Sequence, residues 1–399
     1  MSALDEIDWT GNRKNERYTY VRVKYPELYE AGEYGNIVSG SVSKSEFSSV
    51  KETCEFSFVG GNAPDAVDGV RIYYSFEDEG GNVASVPIGT YLVSYSDISH
   101  EYVGATWESE ASTLESGSVS GSSMLSVLAD VTLGYPMTVS AGTDYVGMAY
   151  DLARARNLKV SLARKGDGNV YRNAKDHTFE SSDSLLTAIN YMLNAADYAA
   201  CRVDAYGTVI MEPYVPPIMA RPAFTFKDGA NSIIGMEVTE KNDYLTAPNV
   251  VKLVYESENE CLYAEASNLK GSRNSLEARC GRELTLFDSD ISFPDSISEE
   301  NEDTPGIHRN ERIDYLKRKA ERRLKDNSTE TVHVEFEHPY IPIQGGDYAR
   351  IEYGGKTFDV NVTNMDIDLS ASTACRTSGR HIDRYDIETS VSGRAVWVQ

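Results

Sequence analysis

The feature that most constrains this fold is a series of short segments in the first 115 residues in which polar and apolar side chains alternate. These segments fall at 17–25, 37–47, 54–59, 70–76, 87–94 and 101–107. Turn signals such as Gly60-Gly61-Asn62 and Gly80-Gly81-Asn82 separate them, and no helical periodicity interrupts them. Because successive side chains of a strand point to opposite faces, the pattern predicts antiparallel strands in a sandwich or small barrel.

The periodicity changes after residues 116–123, a serine- and glycine-rich tract whose composition predicts a flexible hinge. Apolar residues at helical spacing then predict four helices, at 124–132, 143–156, 183–197 and 305–326. Between the third and the fourth, Asp204-Ala-Tyr-Gly207 predicts a turn that joins two strands. Residues 142–212 are therefore expected to form a small α/β insert inside a mainly β protein.

These signals divide the chain into six segments. A first barrel-like β domain, 1–115, is followed by a hinge with a short helix, 116–141, and by the α/β insert, 142–212. A second β domain begins with 213–303, is interrupted by a helix at 304–326 and is completed by 327–399. The predicted fold class is mainly β with an α/β insertion: two antiparallel barrel- or sandwich-like domains plus a small helical insert.

Charge and cysteine usage exclude several classes of protein. The 62 acidic and 38 basic residues give the 399-residue chain a formal net charge of −24, so its whole surface cannot be a phosphate-binding one. Residues 1–9 lack the features of a secretory signal, and no apolar run approaches the roughly 20 residues that span a bilayer. The cysteines are odd in number and never in CxxC spacing, which predicts buried or incidental thiols in a reducing cytoplasm. They are Cys54, Cys201, Cys261, Cys280 and Cys375.

The search for chemical motifs leaves two weak candidates. His333, Glu335 and Glu337 share one face of a predicted strand, with His338 on the other; this pattern fits a metal site, but it also fits a solvated face, which we favour. Gly117-Ser-Val-Ser-Gly121 has the glycine spacing of a nucleophile elbow, but Val119 occupies the nucleophile position. We therefore predict no catalytic, cofactor-binding or metal-binding residue.

A predicted helix over 309–325 carries eight basic residues. They are Arg309, Arg312, Lys317, Arg318, Lys319, Arg322, Arg323 and Lys325. One interpretation is a nucleic-acid face; another is a solvated helix with Asp314–Arg318 and Glu321–Lys325 pairs at i,i+4. The preceding segment, 283–303, contains eight acidic residues and no basic one. A third interpretation is therefore that acidic residues neutralise the basic residues of this helix within the protein or across a subunit contact.

Several motifs, in the same order, resemble those of phage tail-tip and baseplate-hub proteins. Pro87-Ile-Gly-Thr-Tyr-Leu-Val93 is similar to the family's P-L-G-x-F/Y-x-V strand. The passage from Leu193 to Tyr214 is similar to the family's succession of a helix, a D-x-x-G hairpin and an E-P-Y motif. Asn249-Val-Val after Pro248 resembles the P-N-V-V strand, and Gly346-Asp-Tyr-Ala-Arg-Ile351 the G-D-x-x-x-I strand. The resemblance covers most of residues 17–370; residues 108–114 depart from it because they lack the usual A-x-D beginning.

The resemblance implies a trimeric ring with two barrel-like domains per chain at the virion tail tip, made in the host bacterial cytoplasm. The implied partners are the tail tube and distal tail proteins, the tape measure protein, and the spike or receptor-binding proteins. DNA is expected to pass through without specific binding, past acidic walls that repel its phosphates. No cofactor and no enzymatic activity are implied, since the chain stops after 394–398 without room for a peptidase or lysin extension.

Two alternatives stay open at this point. A cell-surface or carbohydrate-binding β protein is favoured by the 26 tyrosines but disfavoured by the missing secretory signal. A cell-wall hydrolase would need a catalytic His, Cys or carboxylate arrangement that the sequence does not contain in recognisable form.

Overall fold

The computed structural model describes most of the chain. The described residues are 7, 9, 13–35, 37–60, 68–103, 112–166, 170–173, 176–215, 221–229, 234–235, 237–242, 247–257, 259–294, 297, 308–329, 332–370, 374–382 and 387–398. The predicted helix start at 305, the end of the predicted strand at 101–107 and most of the acidic segment after 294 lie outside them.

Seven strands precede the insert. They are β1 Lys14–Lys24, β2 Tyr29–Tyr34, β3 Ile37–Ser45, β4 Glu52–Val59, β5 Asp68–Glu77, β6 Val83–Val103 and β7 Ser112–Ser123. All their pairings with one another are antiparallel, in the order β3-β4-β7-β6-β5-β1-β2. Burial alternates along β4, where Cys54, Phe56 and Phe58 point into the core. The antiparallel strands predicted from the alternation are confirmed.

The predicted hinge at 116–123 is wrong, because these residues form most of β7 between β4 and β6. Val119 is buried at its centre. A Cβ on Gly117 would lie 1.9 Å from the carbonyl oxygen of Asp97, and one on Gly121 would lie 2.9 Å from that of Leu92. The small residues of the tract therefore allow neighbouring strands to approach closely, a role that composition does not distinguish from flexibility.

In the described part of the insert there are three helices and six short strands, counting the short helix that leads into it. They are α1 Ser126–Ala129, β8 Met137–Val139, α2 Tyr145–Arg154, β9 Val160–Leu162, β10 Tyr171–Arg172, β11 His177–Phe179, α3 Leu185–Ala195, β12 Arg202–Val203 and β13 Val209–Met211. Asp144 caps α2 by accepting from the Gly147 N–H at 3.0 Å, and Ser184 caps α3 by accepting from the Thr187 N–H at 3.1 Å. Helices and strands pack around one apolar core, which confirms the α/β character.

The first predicted helix, 124–132, is shorter than expected. Only Ser126–Ala129 is helical, since the chain then turns to meet the start of α3. The Leu133 N–H donates to the Asp183 carbonyl at 3.0 Å and the Leu185 N–H donates to the Val131 carbonyl at 2.8 Å. These bonds satisfy backbone groups that a longer helix would otherwise have used.

The predicted turn at 204–207 is present between β12 and β13. Gly207 has a φ of +89°, and its N–H donates to the Asp204 carbonyl at 2.9 Å. The turn packs on the first strands, where Thr90 Oγ1 donates to the Ala205 carbonyl at 2.8 Å. A Cβ at position 207 would lie 2.6 Å from Leu28 Cδ1, so the site requires glycine for both conformation and space.

After the insert, the described residues include eleven further strands and one long helix. They are β14 Phe224–Lys227, β15 Val238–Asn242, β16 Val250–Glu256, β17 Glu260–Lys270, β18 Thr285–Asp288, β19 Phe293–Pro294, α4 Arg309–Thr329, β20 Val332–Pro339, β21 Tyr348–Tyr353, β22 Lys356–Asp368, β23 Ala374–His381 and β24 Glu388–Val398. Within the described residues, no helix is long and apolar enough to cross a membrane.

Most strands join one thirteen-stranded sheet, the large sheet. Its order is β15-β20-β23-β22-β3-β4-β7-β6-β5-β1-β2, with β21 joining β14 to β22. The β22–β3 contact, in which Asp366 faces Ser43, unites strands from before and after the insert around a single core. A separate four-stranded sheet, β18-β16-β17-β24, packs its inner face on α4. The fold class is confirmed, whereas the six domain boundaries stay a prediction.

Candidate functional site

The histidine and glutamate residues of β20 alternate across the strand as predicted. His333 and Glu335 are half-buried and Glu337 is exposed, whereas His338 is buried. Glu335 pairs with Arg376 of the neighbouring strand, and Lys241 Nζ lies 3.4 Å from it. Among the described residues, no group of three or more His, Cys, Asp or Glu side chains is arranged to hold a metal ion. The outward residues of β20 form a solvated, ion-paired face.

His338 is a structural residue of the large sheet. Its Nε2 lies 2.8 Å from Thr377 Oγ1 and its Nδ1 lies 2.7 Å from the Pro339 carbonyl oxygen. Burial lowers the pKa of His338 to about 4, so the ring is neutral at pH 7.

The remaining sequence candidates do not form a site. Val119 of the elbow-like pattern is buried within β7 and does not lie at the strand-to-helix turn that follows Ser123. All five cysteines are free, four of them are buried, and Cys280 is exposed. Burial raises the pKa of Cys201 to about 12, so this thiol stays protonated and unreactive at pH 7.

In the first half of α4, two basic side chains form ion pairs with a carboxylate of the protein itself. Arg309 Nε lies 3.1 Å from Glu260 Oε2, and Arg312 Nη2 lies 2.6 Å from Glu260 Oε1. The side chains of Arg312 and Glu260 are 1% and 2% exposed. The carboxylate of β17 thus holds two of the eight predicted basic residues against the four-stranded sheet, and Arg312 is enclosed there.

The second half of α4 is also ion-paired. Arg322 bonds both carboxylate oxygens of Asp197, and Arg323 bonds Asp288. On the outer side, Lys325 pairs with Glu321 at 2.7 Å as predicted, but Asp314 pairs with Lys317 at 3.0 Å instead of with Arg318. Arg318 is exposed. Local neutralisation is therefore the interpretation that the geometry supports.

Sequence reasoning missed the two carboxylates that matter most to α4. Glu260 lies 49 residues before Arg309, and Asp197 lies 125 residues before Arg322. Burial alone would raise the pKa of Asp197, but the charges of Lys319 and Arg322 more than offset this, so its pKa is lowered. Only Asp288 belongs to the acidic segment that the sequence had singled out.

A small cavity of about 20 Å³ lies between the insert and the four-stranded sheet. Its walls include Tyr145, His177, Tyr191 and Asp290. The His177 ring stacks on Tyr191 at 4.1 Å between centroids, and Nδ1 lies 2.9 Å from the Tyr191 hydroxyl. Such a volume holds a single water molecule and excludes an organic substrate.

A polar surface lies at the centre of the large sheet. We define the central polar face as the polar outward side chains in the middle of four adjacent strands, β22, β3, β4 and β7, where exposed Val38 and Val59 border it. Its members are Asn364, Asp366, Asp368, Ser39, Ser41, Ser43, Thr53, Glu55, Ser57, Ser116, Ser118, Ser120 and Ser122. All of them are hydroxyl, amide or carboxylate groups.

The strand registers align the central polar face in rows. Asp368, Ser41, Glu55 and Ser120 lie opposite one another across the four strands, and the next row runs from Asp366 to Ser122. Ser43 Oγ donates to Asp366 Oδ1 at 2.7 Å. Lys44 of the same strand points inward instead, where Nζ donates to the Ile88 carbonyl at 2.8 Å. The central polar face therefore carries carboxylates and no lysine, and Arg376 of the neighbouring strand β23, which pairs with Glu335, lies beside it opposite Asp366.

Two solved structures share this fold over nearly their whole length. One is a tail protein from Neisseria meningitidis MC58, with 11% sequence identity and a TM-score of 0.56 over 92% of this chain and 97% of that one. The other is the 43 kDa tail protein of prophage MuSo2 from Shewanella oneidensis, with 10% identity and a TM-score of 0.56 over 94% and 100%.

No protein-family model matches the chain, and no curated protein matches it significantly. The likeness to the two tail proteins shows that this chain has their fold. At the level of the fold, it confirms the resemblance predicted from the sequence motifs.

Proposed function

We propose that this chain is a structural component of a phage tail, placed at the tail tip, where it joins the tail tube to the receptor-binding apparatus. The observation that carries the proposal is the fold that it shares with two tail proteins over 92% and 94% of its length. The ordered motifs between residues 17 and 370 support the same conclusion from the sequence.

The assembled form that we propose is a homotrimeric ring. Its other partners are the tail tube and distal tail proteins, the tape measure protein, and the spike or receptor-binding proteins. Within the described residues the large sheet ends at β2 on one side and at β15 and β14 on the other, and exposed strand edges are sites for pairing with another chain. A contact between unlike edges of successive copies is heterologous, the type of contact that generates rings.

In this ring, the central polar face lines the DNA channel. Its own side chains, such as Ser41, Glu55 and Asp368, include no cation for the phosphate backbone to bind, and the bordering Arg376 is ion-paired with Glu335. The carboxylates repel the backbone over roughly 8 Å at physiological salt. Four of the eight basic residues of α4, namely Arg309, Arg312, Arg322 and Arg323, are engaged by Glu260, Asp197 and Asp288.

We propose a structural role without enzymatic activity. The described residues supply one support: the elbow-like pattern lies inside a strand, where Val119 is buried. Glycan binding by the purified chain tests the carbohydrate-binding alternative. Clearing of cell-wall polymer in a zymogram tests the hydrolase alternative.

The location can be tested on assembled particles. A chain carrying a short epitope tag is incorporated into particles, which are then labelled with antibody-coated gold and imaged in negative stain. We expect gold only at the end of the tail distal to the head, with untagged particles as the control. Gold along the tail shaft, on the head or only on unassembled material would contradict the proposal.

A further inference from the structure

The insert meets α4 along a contact that is dominated by charge, which we call the seam. Lys165 and Asp197 contribute from the insert, Lys319 and Arg322 from α4, and Asp288 from the end of β18. Further links cross it: Ser292 Oγ donates to the Ala195 carbonyl at 2.6 Å, the Tyr191 hydroxyl bonds Asp290, and β10 pairs with β19. The seam separates the core of the insert from the core beneath α4.

Both carboxylates that face Lys319 are already engaged. Asp197 bonds Arg322 through both oxygens, and Lys165 Nζ lies 3.6 Å from Asp197 Oδ2. Asp288 bonds Arg323. Lys319 therefore shares its two nearest anions with three other cations.

The Lys319 side chain is enclosed, since the residue is only 3% exposed. Among the described residues, its ammonium has no hydrogen-bond partner. Burial lowers the pKa of Lys319 to about 8, with Arg323 and Arg322 adding to the effect and Asp197 and Asp288 opposing it. A buried ammonium without hydrogen bonds costs free energy that an apolar side chain of similar length would not.

We propose that the seam is a joint built to open, in which Lys319 destabilises the closed contact relative to a separated state that returns its ammonium to water. Opening breaks the few links across the seam but leaves the two apolar cores and the large sheet intact. The turn at 204–207, held by Thr90 and by Arg71 Nη2 at 3.2 Å from the Tyr206 carbonyl, supplies the attachment about which the insert moves. The inference does not depend on a role in a phage tail.

The test compares Lys319→Met with the natural chain by hydrogen–deuterium exchange. Met keeps the length and the apolar stem of lysine but carries no charge. We expect amides of the last turn of α3 and of β10 to exchange at least tenfold more slowly in the variant, while those of β4 and β22 are unchanged. Lys317→Met, a half-exposed position on the same helix, is the matched control and should change neither group.

A pH series adds a readout that a packing effect would not produce. Raising the pH from 7 to 10 removes the proton from Lys319 in the closed chain, so the ratio of exchange rates between the natural chain and Lys319→Met should shrink toward one. The other groups at the seam are present in both chains: Lys165, Asp197, Asp288, Arg322, Arg323 and Tyr315. Burial raises the pKa of Tyr315, so its hydroxyl keeps its proton over this range.

Three outcomes would overturn the proposal. Equal or faster exchange at the seam in Lys319→Met would show that the lysine does not weaken the closed contact. Failure of that variant to fold would show that the fold requires the charge. A rate ratio independent of pH would assign the effect to side-chain shape. Asp197→Asn serves as the opposite change and is expected to speed exchange at the seam.

Discussion

Glu260 is the residue on which the first half of α4 depends most. Its side chain is 2% exposed and neutralises Arg312, which is 1% exposed. Removing one partner of a buried ion pair leaves an uncompensated charge, which typically costs about 3–5 kcal/mol. We expect Glu260→Gln to lower the free energy of unfolding in urea by this amount.

The control for that change is Glu321→Gln. Glu321 pairs with Lys325 on the outer side of the same helix, where the two side chains are 36% and 43% exposed. Pairs of this kind contribute about 0.3–0.5 kcal/mol. Equal losses from Glu260→Gln and Glu321→Gln would contradict the buried pair described here.

His338 predicts a pH dependence of stability. The unfolded chain binds a proton on this ring below pH about 6.5, whereas the folded chain binds it only below about 4. Between these values the unfolded state holds more protons, so stability falls as the pH falls, by about 3 kcal/mol for this one group. The full contribution is present above pH about 6.5.

The measurement is the free energy of unfolding of the natural chain and of His338→Gln at several pH values from 7 to 4. The difference between the two chains should change across this range, because only the natural chain has this histidine. A constant difference would mean that His338 titrates alike in the folded and unfolded states.

At the scale of single residues, the sequence predicted which face of an element a side chain occupies better than it predicted which residue that side chain bonds. The alternation along β20 places His338 and His333 on opposite faces of the strand, and this can be inferred from the sequence alone. The partners of α4 could not be found, because a carboxylate 125 residues away becomes a neighbour only through the packing of the insert. The helical pairs at i,i+4 were accessible because their spacing is local, and one of the two is present.

Among the elements, α4 has the clearest packed face. Leu316 and Leu324 are fully buried against β16, β17 and β24. We expect Leu316→Ala and Leu324→Ala each to lower the free energy of unfolding by about 2–5 kcal/mol, from lost burial and the cavity left behind.

Denaturant unfolding followed by circular dichroism measures the free energy of unfolding of both variants. Leu284→Ala, at a residue that is 37% exposed, is the control and should cost much less. Losses below about 1 kcal/mol at both α4 positions would show that the helix is not packed on the sheet in this way.

The elements also show where local patterns fail. Most strands of the first 115 residues and three of the four helices could be predicted because periodicity records which face is buried. The strand β2 was not predicted, and the segments predicted at 87–94 and 101–107 belong, as far as they are described, to the single strand β6. The strand at 116–123 could not be predicted, since serine and glycine suit both a flexible linker and a strand whose neighbours leave no room for a larger side chain. The contact of β3 with β22 also escaped prediction, because no local pattern specifies which distant strand will pair.

For the whole molecule, we predict no measurable affinity of the isolated chain for duplex DNA at physiological salt. The net charge is −24, and the cations of α4 are mostly engaged by the protein's own carboxylates. Filter binding over a range of salt concentrations tests this. Micromolar affinity with a steep salt dependence, abolished by neutralising Arg318, Arg322 and Arg323, would show that α4 is a nucleic-acid face.

A gain-of-binding variant gives that experiment a positive control. Replacing Glu55, Asp366 and Asp368 by lysine places three cations in adjacent rows of the central polar face. We expect salt-dependent DNA binding to appear in this variant. The same number of replacements at the exposed and dispersed residues Glu33, Asp151 and Glu180 should produce weaker binding or none, although the net charge changes equally.

The central claim is that this chain forms part of a tail end, and an image reconstruction of the distal end of the assembled tail tests it most directly. The proposal predicts three copies of this chain in a ring around the channel, with β22, β3, β4 and β7 turning the central polar face toward the lumen. A tail end without this chain, or a ring in which the central polar face lies on the outside, would contradict it.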